Sequence, residues 1–246
     1  MFEKLTTALV VGFPLGALGA WVLVLAARVL SEHLDAHHAA TDLPAISLTQ
    51  CHLHHKFYLD LVLAVSVCLT AVLSVLNWGL TWHALAAALY CASLQVLARI
   101  DAQTRLLPDA LTLPLLWAGL LFQWLGGWVR LEDAVAGAAL GYGVLWLIWG
   151  VHRGCSGRDG IGFGDLKLAA ANGAWLGAEA LPWALLVASL VACVAALVVR
   201  LRGRLKRFEA MAFGPYLSMG GIVVLFCTQS RLPFFSFDSL TALVPR

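Results

Sequence analysis

The chain has 246 residues, 61% of them hydrophobic and only 12% charged, with a mean hydropathy of +0.85. So apolar a composition excludes a soluble globular domain and defines a polytopic membrane protein. The net charge of +2 is carried by lysines and arginines beside apolar runs, where it reports topology and gives no sign of nucleic-acid binding.

Crossing about 30 Å of hydrocarbon takes about 20 mostly apolar residues as a helix. Runs near that length predict about eight transmembrane helices, the first over residues 5–30. This run begins almost at Met1, but it is too long for a signal peptide and lacks a basic n-region followed by an A-x-A site, so it reads as a retained helix. Residues 31–56 then form the one sizeable soluble loop. It is rich in histidine (His33, His37, His38, His52, His54, His55), with Cys51 beside them. Two histidines four apart can share a metal, but the spacing matches no recognised ligand pattern, and the loop is read as polar and juxtamembrane without metal.

The next predicted spans are 59–76, 80–100, 110–128 and 134–151, followed by 166–181, 182–199 and 211–227. The run 166–181 is the weakest, short and interrupted by Asn172 and Gly173; a partial crossing is tolerable only where protein or a watery cavity covers its free backbone groups. The spacings Gly12-x-x-x-Gly16 and Gly137-x-x-x-Gly141 suit close helix packing. The basic run from Arg200 to Arg207 reads as a topology anchor. The six cysteines (Cys51, Cys68, Cys91, Cys155, Cys193, Cys227) stand singly with no C-x-x-C pair, and are expected to be small buried hydrophobes. Residues 243–246 match the left half of a thrombin site and read as a tag remnant, which leaves one membrane-embedded domain over 1–242.

With Met1 outside, the cytoplasmic side collects Arg28, Lys56, Arg99, Arg105, Arg153, Arg158, Lys167, Arg200, Arg202, Arg204, Lys206 and Arg207. Only Lys4, Arg130, Arg231 and Arg246 remain outside, 12 against 4. This orientation puts Asp101, at the end of one run, and Asp165, at the start of another, on the cytoplasmic face.

A carboxylate placed against hydrocarbon is costly and marks function. The two aspartates are 64 residues apart with two spans between them, which returns the chain to the same face. They suggest a shared-proton dyad in which one carboxylate takes a proton from water and the other, held neutral, gives one to a carbonyl oxygen. Gly157, Gly160, Gly162 and Gly164 precede Asp165 and would let the backbone approach an extended peptide. Asp165 opens a helix, whose dipole favours its ionised form and makes it the base and Asp101 the acid. Structural alternatives exist for each residue: Asp101 paired with Arg99 or Arg105 near a helix end, and Asp165 as a helix N-cap.

Residues 101–119 (Asp-Ala-Gln-Thr-Arg-Leu-Leu-Pro-Asp and onward), residues 160–177 (Gly-Ile-Gly-Phe-Gly-Asp-Leu-Lys and onward) and Phe213-Gly-Pro-Tyr216 resemble the type IV prepilin peptidases, membrane aspartyl proteases with a Gly-x-Gly-Asp motif. The resemblance covers residues 58–227. It implies an enzyme of the bacterial inner membrane, without a cofactor, whose partners are prepilin or pseudopilin substrates. Such an enzyme removes their short basic leader on the cytoplasmic side, after a glycine. It also implies Asp101 and Asp165 as catalytic residues, with Gly162, Gly164, Lys167 and Asp109 forming the supporting loop and substrate approach. Lys167, Arg99 and Arg105 would repel a basic leader unless acidic groups such as Asp109 or Asp159 intervene.

Many members of this family bind zinc through two C-x-x-C pairs in the first cytoplasmic loop and also methylate the new amino terminus. Here the loop holds Cys51 alone, which implies a peptidase without methyltransferase activity. Two other functions compete: a proton- or cation-coupled transporter using the two aspartates, and an inactive scaffold of a pilus or secretion machine. Transport is disfavoured by the lack of repeated interrupted helices and by the placing of both acids at one face.

Overall fold

A computed structural model describes residues 49–157, 162–202 and 212–229, with the backbone alone for 49–59 and 156. The predicted span 5–30, the histidine-rich loop up to residue 48, Gly160 and the terminal tag lie outside the described residues. Every described element is a helix: α1 (Thr49–Trp78), α2 (Trp82–Thr104), α3 (Asp109–Trp124), α4 (Leu131–Ser156), α5 (Phe163–Leu176), α6 (Leu181–Leu201) and α7 (Gly214–Gln229). They coincide one for one with the predicted runs from residue 59 onward.

Length separates them into two kinds. Four segments are long and apolar enough to cross a membrane: Asp60–Trp78, Trp82–Thr104, Leu131–Cys155 and Leu181–Leu201. The other three helices have 14 to 16 residues, or about 21–24 Å at 1.5 Å per residue, short of the hydrocarbon thickness. The helix on the predicted span 110–128 is shorter than expected because α3 stops at Trp124, and Gly126 then takes a left-handed conformation, φ +90°. At the other end of the chain, α1 begins ten residues before its predicted span. Residues 49–56, expected as loop, are helical because no glycine or proline interrupts them.

The chain divides into two compact units after Thr104. In the first, α1 and α2 form an antiparallel pair. Leu63 and Val67 pack with Ala92, and Gln95 supplies the polar link. Its Nε2 donates to Thr70 Oγ1 at 3.2 Å, and its Oε1 accepts from Ser66 Oγ at 3.0 Å. Such side-chain bonds hold helices together where hydrophobicity alone gives no preference for protein over lipid.

In the second unit α5 is the central element, packed by α3, α4, α6 and α7. From Leu168 to Leu176 every residue is buried. Small side chains make this possible: a Cβ added at Gly141 would lie 2.4 Å from Ala169 O, and one at Gly173 2.1 Å from Gly137 O. The Gly137-x-x-x-Gly141 spacing therefore serves backbone-to-backbone contact with α5, as expected.

The short helix also has the cover its backbone requires. Asn172 Nδ2 donates to Leu217 O of α7 at 3.1 Å, and Trp175 Nε1 to Leu115 O of α3 at 2.9 Å. Gln123 Nε2 donates to Trp175 O at 2.9 Å while its Oε1 accepts from Val129 N at 3.2 Å. Around that corner the Trp175 indole lies across Gly119 and stacks on Phe122 at 5.3 Å.

The cysteines depart in part from expectation. Cys91 is buried and Cys68 and Cys227 half-buried, but Cys155 and Cys193 are exposed. Both lie on helices long enough to face lipid, where an apolar side chain has no need of a protein core.

Candidate active site

Asp101 stands in the last turn of α2, which ends at Thr104, and is 4% exposed. Its neighbours Leu97 and Ile100 are fully buried. A carboxylate in a last turn meets the negative end of the helix dipole, so helix stability gives no reason for an acid there. Arg99, one of the two partners the alternative reading assigns to Asp101, is engaged with Asp60 at 3.0 Å, both side chains being almost buried. Immediately after α2, Arg105 adopts a left-handed backbone, φ +56°, a conformation more often given to glycine at a helix end.

Asp165 is the third residue of α5 and is 8% exposed. It is not the N-cap: Gly162, which has no side chain, holds that position (φ −75°, ψ 143°), and the Asp165 amide donates to Gly162 O at 3.1 Å. The glycines have separate roles. Gly157 is the left-handed C-cap of α4, φ +65°. At Gly162 an added Cβ would make only ordinary contact, 3.7 Å from Asp165 Oδ2. At Gly164 it would fall 2.7 Å from Leu107 Cβ, so this glycine exists for close approach to the chain leading into α3.

Lys167 Nζ donates to both carboxylate oxygens of Asp109 at 2.6 Å. Asp109 opens α3. Lys167 is thus paired with Asp109 and Arg99 with Asp60 within the protein.

The structure gathers Gly162, Gly164, Asp165, Lys167 and Asp109 in the second unit, whereas Asp101 belongs to the first. Sequence reasoning missed Leu107 and Asp60. Nothing in the sequence singles out Leu107, one apolar residue among many. Asp60, a lone acid at the start of an apolar run, carried the same signal that drew attention to Asp101.

Membrane-length helices define a helical membrane protein, and two of its carboxylates are buried, one in a last turn and another in a first turn. Residues 88–198, which contain both aspartates, match the type IV leader peptidase family. Relatives named prepilin leader peptidase/N-methyltransferase include that of Dickeya chrysanthemi, 50% identical over 157 residues, which covers 62% of this chain and 56% of the relative. That of Neisseria gonorrhoeae is 45% identical over 155 residues, 63% and 52% of the two chains. That of Escherichia coli K12 is 49% identical over 138 residues, 56% and 60%. The chain thus spans about half the length of the curated relatives it matches. No solved structure matches it.

Proposed function

We propose that this chain is a membrane aspartic endopeptidase of the bacterial inner membrane, which cleaves the basic leader from type IV prepilins or pseudopilins on the cytoplasmic side. The reading is carried by one observation: within the segment that matches the leader-peptidase family, two carboxylates are 4% and 8% exposed, one in the last turn of α2 and one in the first turn of α5. In the proposed reaction Asp165 accepts a proton from water as the oxygen attacks the scissile carbonyl carbon. Asp101 donates a proton to the carbonyl oxygen, giving a gem-diol. Collapse then breaks the C–N bond, with a proton passing to the leaving amine.

The position of both acids at helix ends supports peptidase over transporter, whose ion sites belong near the midplane. Zinc is not part of the reading. The only thiolate of the first loop is Cys51, which cannot build the four-cysteine site of the methylating family members, so cleavage without methylation is proposed.

The test is cleavage of a purified prepilin by the Asp101→Asn and Asp165→Asn proteins, each shown to be folded and inserted. Loss of a proton-transfer group costs roughly 10²–10⁴ in rate. A variant that cleaves at a near wild-type rate removes its residue from the mechanism, whereas a parent protein that cleaves no prepilin leaves the scaffold reading.

A further inference from the structure

Lys167 sits in the opening turns of α5, where the positive end of the helix dipole makes a cation unwelcome. Its charge is met by Asp109, in the first turn of α3, where the dipole favours an acid. The two contacts of α5 with this part of α3 bracket Asp165. Gly164 lies against Leu107 and Lys167 is tied to Asp109 through both carboxylate oxygens at 2.6 Å. Residues three apart share one helix face, so Gly164 and Lys167 address the same short stretch, Leu107 to Asp109. The pair is partly open to solvent, the side chains being 30% and 56% exposed. Exposed ion pairs add little to global stability. What a short charge-assisted contact of this kind does supply is a link between two helix starts.

We propose that Lys167 and Asp109 form a positioning clamp that sets the first turn of α5, and with it the Asp165 carboxylate, against the start of α3. The inference rests on the reading of Asp165 as catalytic. Neither clamp residue touches the reacting atoms; each acts through Asp165.

The experiment uses the full chain in vesicles and a purified prepilin, comparing Asp109→Asn, Lys167→Met, Lys167→Arg and Asp165→Asn. The clamp predicts that Asp109→Asn and Lys167→Met lower kcat by roughly ten- to a hundredfold, the scale of a misplaced catalytic group. KM should stay within about twofold and the melting temperature nearly constant, since the pair contributes little to global stability. Lys167→Arg, whose fork can also pair with a carboxylate, should recover most of the rate. Hydrogen exchange over residues 163–170 should quicken in Asp109→Asn and Lys167→Met whatever their activity. An inactive Asp165→Asn beside unimpaired Asp109→Asn and Lys167→Met overturns the clamp alone. A rise in KM at constant kcat also overturns it, since the pair would then be binding substrate. An active Asp165→Asn overturns the reading of the site, and unchanged exchange over 163–170 overturns the clamp independently of that result.

Discussion

Gly164→Ala adds a single methyl group beside the proposed base. Its carbon would lie 2.7 Å from Leu107 Cβ and 3.3 Å from Leu107 Cδ1, against an optimum of about 3.5–4.0 Å between carbons. Rotating the Leu107 side chain relieves the second contact but not the first, because Cβ is fixed by the backbone. Either the start of α5 or the segment before α3 must therefore retreat by about 1 Å. Overpacking of this kind costs typically 1–3 kcal/mol, offset by up to about 1 kcal/mol from alanine's better helix propensity. The net loss of about 0–2 kcal/mol leaves the protein folded. Catalysis is less forgiving: a 1 Å displacement of a reacting group can cost roughly a hundredfold in rate. The expected result is a folded Gly164→Ala protein whose prepilin cleavage, followed by mass spectrometry, falls about a hundredfold. Gly162→Ala, with 3.7 Å of room and an ordinary φ, should cleave nearly as the parent does. Leu107→Gly should restore Gly164→Ala, whereas Leu107→Ala, which keeps the offending Cβ, should not. A fully active Gly164→Ala, or equal damage from Gly162→Ala, refutes the reasoning.

Three further outcomes are expected. Gln123→Leu removes the partners of Trp175 O and Val129 N and should destabilise the fold by about 1–3 kcal/mol per orphaned group, read as a fall in melting temperature with the cleavage rate of the folded fraction unchanged. Arg105→Gly and Arg105→Val both lose the guanidinium, so their difference isolates the left-handed backbone; glycine should be the more stable by roughly 1–2 kcal/mol, and equal melting temperatures would deny the strain. Incubation with prepilin and S-adenosylmethionine should give a cleaved product without an added methyl group, and EDTA should leave cleavage intact, since a lone thiolate gives weak, removable metal binding; a methylated product or zinc retained through dialysis would contradict this.

The helices were legible because their cause is local. Apolar runs of sufficient length predict helices under any packing, and all seven described helices sit on such runs. Their ends were less legible. The stop of α3 at Trp124 depends on Gly126 turning left-handed, which an apolar continuation through Leu125 and Trp128 conceals. The reach of α1 back to Thr49 was hidden for the opposite reason, since polar and histidine-rich residues read as loop whether or not they are helical.

The site was legible to the extent that its chemistry is expensive. An acid beside hydrocarbon stands out in any sequence, and Asp101 and Asp165 stand out on that ground before any likeness is considered. The geometry of the supporting residues could not be read so directly, because a glycine signals freedom of conformation and closeness of approach with the same letter. Gly164 was expected to let the backbone approach a peptide; in the structure Leu107 lies against it, and Leu107 is 57 residues away in the chain with nothing to mark it. Asp109 and Lys167 likewise appear in sequence as two separate charges near a membrane surface. Only the side-by-side start of α3 and α5 makes them one neutral pair, and that juxtaposition turns a cation expected to repel a basic substrate into part of the support for the residue beside it.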